Sequence, residues 1–306
     1  MKVLFCSTRP LQRAENVKAV WDAWEDEKEF AQMDQWLNHP ALTLSDYDVI
    51  VSDEFISRKI KGTKAILIGH GISGGKTWGL DQPIPYVPKD CGKMFDAVVA
   101  TSEEMVPIVA RQCGVERERV YPLGMPRTDA YFEPCVRPTM KQTYLYAPTF
   151  RNQGEGSLPD IDWQWLDDQL TNNEALIVKA HMVGVPILDR EYEHIVELSG
   201  MLPSTPWLMG CDALITDYSS IMLDAQLLGK PVILYSTDNR YLITRGMYLP
   251  YPDGYSSRFA GNEQDLLRLL RTAKGQNETD VRCRQRTAGC CDGHSTERVI
   301  QLIKNI

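Results

Sequence analysis

The chain has 306 residues, of which 43% are hydrophobic and 24% charged, and its formal net charge is −8. An acidic total argues against a large nucleic-acid-binding face, so a nucleic-acid acceptor is not expected. No apolar run approaches the roughly 20 residues of a membrane span and no secretory signal is visible, which together with eight scattered cysteines predicts a reduced, cytoplasmic protein.

Short apolar runs alternate with helical stretches through the first half of the chain. The runs typical of strands are Lys2–Cys6, Tyr47–Ser52, Ala65–Ile68 and Ala97–Thr101. Leu11–Trp24 has apolar residues at helical spacing, and Glu103–Cys113 is a second predicted helix that Gly114 would cap.

The second half repeats this alternation. Its predicted strands are Tyr144–Tyr146, Ala175–Val178, Ala213–Thr216 and Val232–Tyr235, and its last predicted helices are Glu263–Ala273 and Thr296–Ile303. Near-continuous apolar strands between helices indicate parallel sheets buried on both faces. We therefore expect an α/β protein with two Rossmann-like doubly wound domains, residues 1–135 and 136–306, facing a central cleft, with a C-terminal helix that could pack back on the first domain.

The segment Thr216-Asp217-Tyr218-Ser219-Ser220 joins a predicted strand to a predicted helix. A helix beginning at Ser219 or Ser220 would turn free backbone N–H groups and two hydroxyls toward an anion such as phosphate. Asp224, one turn later on the same face, could accept hydrogen bonds from a ribose or polyol. The simpler alternative is a serine N-cap with Asp217 as a turn residue.

Two histidines follow predicted strands, one in each half of the chain. His70 lies in GHGISGGKTWG and His181 closes the segment Lys179-Ala180-His181. A histidine at the carboxyl end of a strand is well placed as a general base, although a lone histidine is more often structural. The glycine-rich stretch around His70 does not fit the phosphate loop GxxxxGK[ST] in either frame, so an ATPase is not favoured.

Two further turns carry arginine side chains. Gly124-Met125-Pro126-Arg127-Thr128-Asp129 holds Arg127, and Tyr146-Ala147-Pro148-Thr149-Phe150-Arg151 would place Thr149 and Arg151 at the end of a strand. Each could be a surface ion pair, or an arginine aimed at an anionic substrate.

Taken in order, these motifs resemble the CDP-glycerol glycerophosphotransferase family, the teichoic-acid polymerases and primases. The resemblance covers HG, GMPRTD, YAPTFRN, KAH, LITDYSSIMLDAQLLGKPVILY and the closing DGHSTERV. It implies a GT-B-like fold, with the nucleotide bound by the C-terminal domain and the acceptor near the N-terminal one.

The resemblance also implies residue roles and partners. Three residues would be catalytic: His70 as the base that activates the acceptor hydroxyl, and Arg127 and His181 by binding or neutralising the pyrophosphate. Five more would bind the donor and its phosphates, and Asp224 would hold a donor hydroxyl; the five are Thr149, Arg151, Asp217, Ser219 and Ser220. The substrates would be a CDP-linked or other nucleotide-linked donor and a hydroxyl acceptor such as a lipid-linked glycan, at the inner membrane face. No cofactor and no metal are expected, since the reaction needs charge stabilisation and one base.

Two other functions fit the same pattern. A glycosyltransferase of this architecture would use a nucleotide sugar and release a nucleoside diphosphate. A nucleotide-binding regulatory module would show no turnover. Replacement of His70 distinguishes it from an enzyme, which should lose turnover and keep donor binding.

Overall fold

The computed structural model describes residues 1–43, 46–82, 87–135, 141–151, 158–180 and 186–306. They form two compact units. The first unit comprises Met1–Glu133 and Gln285–Ile306, and the second comprises Pro134–Arg284.

The first unit is built on a six-stranded parallel sheet of order β2-β1-β3-β4-β5-β6. Its strands are β1 (Val3–Ser7), β2 (Lys28–Gln32), β3 (Val49–Ser52), β4 (Lys64–Leu67), β5 (Ala97–Ala100) and β6 (Val120–Pro122). The chain order reverses between β1 and β3. Doubly wound sheets bind ligands beside the carboxyl ends of the strands at such a switch point.

Helices α1 (Glu15–Ala23) and α2 (Val106–Cys113) belong to the first unit. Pro107 occupies the first turn of α2, where its missing N–H costs little, and Gly114 ends the helix at φ +65°, as predicted. Helix α9 (Ser295–Asn305) returns to this unit and buries Val299 and Ile303 in the same core as Val3.

The second unit also has a six-stranded parallel sheet, of order β12-β11-β10-β7-β8-β9. Its strands are β7 (Gln142–Tyr146), β8 (Glu174–Lys179), β9 (Ile195–Leu198), β10 (Ala213–Thr216), β11 (Val232–Tyr235) and β12 (Phe259–Ala260). The switch point lies between β7 and β10, the two strands that precede the predicted donor-binding turns.

Helices surround this second sheet as well. They are α3 (Trp163–Gln169), α4 (Thr205–Gly210), α5 (Ile221–Leu227), α6 (Arg240–Thr244) and α7 (Glu263–Thr272), and α8 (Glu278–Ala288) carries the chain on into residues of the first unit. No helix in the described ranges is long and apolar enough to cross a membrane.

The two doubly wound α/β units expected from the sequence are therefore present. The structure takes the alternative expected for the C-terminal helix: residues 285–306 join the first unit, and the second unit ends at Arg284. The physical reason is the apolar face of α9, whose buried residues complete the core around β1 and α1.

Candidate active site

The switch point of the first sheet carries a small polar group that the sequence analysis did not single out. Ser7 ends β1, and Asp53 and Glu54 directly follow β3. The Ser7 hydroxyl donates to Asp53 Oδ2 at 3.2 Å, and Asp53 is 1% exposed. An acidic pair directly after an apolar strand was the signal that could have found these residues.

His70 lies next to this group because it follows β4, the neighbour of β3 in the sheet. Its Nδ1 is 3.1 Å from Glu54 Oε1, close enough for an ion pair, although the N–H is not aimed straight at that oxygen. The Trp78 ring meets the imidazole edge to face, with centroids 5.4 Å apart. The predicted base is thus held between a carboxylate and an indole.

The two edges of the His70 ring differ in accessibility. The side chain is 36% exposed, yet Nδ1 is closed to solvent. Nε2 makes no hydrogen bond to the described residues, and unlike Nδ1 it is not buried. The edge of the ring that is open to solvent therefore carries Nε2. A general base needs such an open nitrogen.

The pKa values of the two neighbouring carboxyl groups are shifted in opposite directions. Burial, and next the charge of Glu54, raise the pKa of Asp53 to about 6, against the hydrogen bond from Ser7. Burial would also raise the pKa of Glu54, but the charge of His70, the contact with it and the charge of Arg9 outweigh burial and lower it. Glu54 is therefore ionised when His70 is protonated, and its carboxylate then stabilises the imidazolium.

One buried amide connects the two predicted catalytic residues of the first unit. Asn16, on α1, donates from Nδ2 to the carbonyl of Gly69 at 2.9 Å and accepts the backbone N–H of Arg127 at 2.9 Å. Asn16 is 2% exposed. The loop of His70 and the turn of Arg127 are thereby held to the same side chain.

The Arg127 guanidinium is held beside α1 in this turn. Its Nη1 donates to the hydroxyl of Tyr131 at 2.6 Å and lies 3.9 Å from Glu15 Oε2. Its side chain is 12% exposed. Asn16 and Glu15, at the start of α1, thus contact the residue before His70 and the Arg127 side chain, respectively.

The closing DGHSTERV motif supports the turn of Arg127. Asp129 accepts the backbone N–H groups of Ser295 (3.0 Å) and Thr296 (2.7 Å), so it caps the start of α9. Arg298 donates from Nε to the carbonyl of Leu123 at 2.9 Å. A Cβ at Gly124 would lie 2.3 Å from the carbonyl oxygen of Cys290, which explains the glycine there.

In the second unit, Asp217 is the centre of a buried polar network. It is fully buried, and its Oδ1 accepts the backbone N–H groups of Thr149 (2.8 Å) and Tyr218 (2.6 Å). Its Oδ2 pairs with Nη2 of Arg151 at 2.6 Å. Asp217 thus joins the ends of β7 and β10 and fixes Arg151, a geometry different from the expected contact with the donor.

Arg151 is held in place on several sides. Nη1 donates to the Thr149 carbonyl at 2.7 Å, and the guanidinium carbon lies 4.9 Å from the centroid of the Tyr241 ring and 5.4 Å from that of Tyr218. Two buried donors remain without a partner among the described residues: Arg151 Nε and the Thr149 hydroxyl. Such unsatisfied groups are uncommon and often mark a functional site.

The serines of this turn keep their hydroxyl protons available. Ser220 is the N-cap of α5 but makes no capping bond with its side chain, and the Ser219 hydroxyl accepts only a 3.5 Å bond from Ile221 N–H. The backbone N–H groups of Met222 and Leu223 bond to the carbonyls of Ser219 and Ser220, so the free N–H groups expected there are partly used. Hydroxyl groups dominate this end of α5.

The remaining predicted residues are placed as follows. Asp224 is 5% exposed, on α5 one turn after Ser220. His181 lies outside the described residues. Lys179, which ends β8, is buried and donates to the carbonyls of Ala180 and Gly200, and burial lowers its pKa. No three described His, Cys, Asp or Glu side chains are grouped so as to hold a metal ion.

Comparison with known proteins agrees with these motifs. The chain is 28% identical over 283 residues to the teichoic acid glycerol-phosphate primase of Bacillus subtilis (strain 168), covering 84% of this chain and 74% of the primase. It is 25% identical over 289 residues to the teichoic acid ribitol-phosphate polymerase TarL of Staphylococcus aureus (strain NCTC 8325 / PS 47), covering 84% of this chain. The match spans 51% of that polymerase, about half its length.

The fold has a solved counterpart. A variant of the wall teichoic acid polymerase TagF superposes with a TM-score of 0.78 at 16% identity, covering 99% of this chain and 88% of the other. A TagF variant soaked with CDPG gives a TM-score of 0.75 at 17% identity, with the same coverage. The likeness shows the fold and agrees with the expected GT-B-like class. The family model of CDP-glycerol:poly(glycerophosphate) glycerophosphotransferases matches residues 2–305, and the chain therefore belongs to this family of transferases.

Proposed function

We propose that this protein transfers a polyol phosphate, glycerol phosphate in the first place, from a CDP-linked donor to a hydroxyl acceptor and releases CMP. Family membership along residues 2–305 supports the reaction type. The CDPG-soaked form of TagF, whose fold this chain shares, supports the class of donor. Because relatives are named for both glycerol-phosphate and ribitol-phosphate transfer, CDP-ribitol is the second donor to test.

One observation in the structure carries the proposal: the arrangement at the switch point of the second sheet. Ser219 and Ser220 offer hydroxyl donors there, and Arg151, paired with Asp217 at the end of the same strand, keeps a buried Nε–H without a partner among the described residues. A pyrophosphate needs such preorganised donors, since the leaving CMP gains negative charge as the bond to phosphorus breaks. Asp217 is assigned the role of holding Arg151, not of touching the donor.

His70 is assigned the role of general base. Its Nε2 takes the proton of the acceptor hydroxyl while the oxygen attacks the phosphorus that bears the polyol. The phosphorus–oxygen bond to CMP breaks, and the new phosphodiester keeps the polyol. Arg127 and His181 are assigned the role of neutralising the charge on the transferred phosphoryl group. Thr149 would bind the donor phosphates, and Asp224 would accept a hydrogen bond from a donor hydroxyl.

The acceptor and the site of action are part of the same proposal. Relatives named as teichoic acid primases and polymerases support an acceptor hydroxyl on a lipid-linked glycan. A chain that uses a nucleotide-activated donor and such an acceptor would work in the cytoplasm, at the inner membrane face. No metal or cofactor belongs to the proposed chemistry.

The test is the nucleotide product. The protein is incubated with CDP-glycerol, CDP-ribitol and a panel of nucleotide sugars, with a membrane-derived lipid-linked glycan as acceptor, and products are separated by chromatography. CMP release that is lost in His70→Ala supports the proposal. Release of a nucleoside diphosphate from a sugar donor would contradict it and identify a glycosyltransferase, and donor binding without turnover would identify a binding module.

A further inference from the structure

Sheet order brings Glu54 and His70 together. β3 and β4 are neighbours, with Ser52 opposite Leu67, and each residue follows the carboxyl end of its strand by two or three positions. Ser52 fixes the backbone of Glu54, since its hydroxyl donates to the Glu54 carbonyl at 2.7 Å and accepts the Glu54 N–H at 3.2 Å. The carboxylate therefore sits on a rigid strand end and not on a mobile loop.

The contact distinguishes the two nitrogens of the imidazole. Glu54 Oε1 lies 3.1 Å from Nδ1, on the ring edge closed to solvent, while Nε2 lies on the open edge. A neutral imidazole carries its proton on one nitrogen only, and a carboxylate beside Nδ1 favours the form with the proton there. Nε2 then keeps the lone pair that a base requires.

We propose that Glu54 is a positioning residue for the transfer reaction: it holds the proton of neutral His70 on Nδ1, keeps Nε2 as the base, and stabilises the imidazolium formed when Nε2 takes the acceptor proton. The inference rests on the proposed function of His70. Asp53 and Arg9 are the other charged groups that act on this pair. Asp53 adds to the negative field and Arg9 opposes it, and the direct contact belongs to Glu54.

The first test needs no substrate. The ring nitrogens of wild type, Glu54→Ala and the surface control Glu104→Gln are labelled with ¹⁵N and observed by NMR above the midpoint of the His70 titration, with His70→Gln used to assign its signals. Glu104 is 64% exposed and contacts Arg286, away from the His70 contacts described above. We expect His70 to carry its proton on Nδ1 in wild type and the control, and on Nε2 for a large fraction of Glu54→Ala. An unchanged tautomer in Glu54→Ala overturns the proposal.

The second test measures turnover. Loss of a correctly held base lowers rates by about 10²- to 10⁴-fold, so we expect kcat for CMP release to fall about a hundredfold in Glu54→Ala while KM for the donor changes little. Glu54→Asp should recover part of this loss. In the His70→Ala background, Glu54→Ala should lower kcat almost no further, since the effects of substituting residues that act as a unit are not additive. An equal loss in both backgrounds refutes a role through His70.

The two tests separate the two claims. If wild type releases no CMP from any donor, the proposed function fails, whereas the NMR result still decides whether Glu54 sets the tautomer. Thermal unfolding of each variant shows whether a loss of activity reflects a loss of fold, and the partial recovery in Glu54→Asp must then occur at equal stability.

Discussion

Replacing Asp217 by asparagine tests how the second unit positions Arg151. The substitution keeps the shape of the side chain but removes a fully buried charge whose partner arginine has a side chain only 8% exposed. The amide nitrogen would also face a donor, either Arg151 Nη2 or the backbone N–H groups that now bond to Oδ1. Removing one partner of a buried ion pair typically costs about 3–5 kcal/mol.

A second substitution makes the argument quantitative. Arg151→Met removes the other charge with similar volume, so the double variant no longer leaves one charge buried without a partner. We therefore expect Asp217→Asn to lower the free energy of unfolding by about 3–5 kcal/mol, and the double variant to recover about 2 kcal/mol or more of the summed single losses. A thermodynamic cycle of wild type, both single variants and the double variant gives the coupling directly.

The assay is urea unfolding combined with hydrogen exchange of β7 and β10, because two units need not unfold in one transition. The variants should lose protection at these strands, while β1 and β3 of the first unit serve as internal reference. A loss under about 1 kcal/mol in Asp217→Asn, or strictly additive single losses, would refute the interpretation of a buried, coupled pair.

Two further predictions concern the first unit. Gly124→Ala should destabilise it by about 3 kcal/mol or more, because the backbone is at φ +85° and the new Cβ would lie 2.3 Å from a carbonyl oxygen. The control Gly229→Ala, at φ +73° with open space around it, should lower the free energy of unfolding by only about 1 kcal/mol. Equal losses for the two variants in urea unfolding would contradict the steric argument. Burial raises the pKa of Asp53 to about 6, so the stability that this group contributes is present below about pH 4 and lost as the pH rises to about 6. As the pH rises through that window, the free energy of unfolding of Asp53→Asn should increase relative to that of wild type by about 1–3 kcal/mol. A difference in the free energy of unfolding that does not change with pH would refute this. Asp22→Asn, at an exposed ion pair, is the control.

The buried strands were the most predictable part of the fold. Val3–Ser7, Ala97–Ala100 and Ala213–Thr216 are buried at every position, and such continuous apolar runs stand out in a sequence. The edge strands were not predicted: β2 carries lysine, glutamate and glutamine at exposed or half-exposed positions, which weakens its apolar pattern, and β6, β9 and β12 are only two to four residues long. The return of α9 to the first unit was predictable only as an alternative, since its apolar stripe shows that it packs but not on which sheet.

The candidate site was predictable where one motif carries its own chemistry, as for His70 at the end of a strand. Contacts between distant segments were not: Asn16 is 53 residues from Gly69 and 111 from Arg127. The burial of Asp217 could not be predicted either, because the sequence shows its position after a strand but not its exposure. The acidic pair after β3 could have pointed to Glu54, but its contact with His70 depends on the neighbouring strand and could not be predicted.

The return of residues 285–306 to the first unit has a consequence for synthesis on the ribosome. Domains commonly fold in order from the N-terminus, but here the first core lacks Val299 and Ile303 until the last part of this sequence has emerged. Residues 134–284 are contiguous and can complete their own core earlier. We therefore expect that, in nascent chains ending before residue 285, the second unit becomes protected from protease before the first. In such chains Asp129 and Gly124 lack the segment 285–306, which they contact in the full structure.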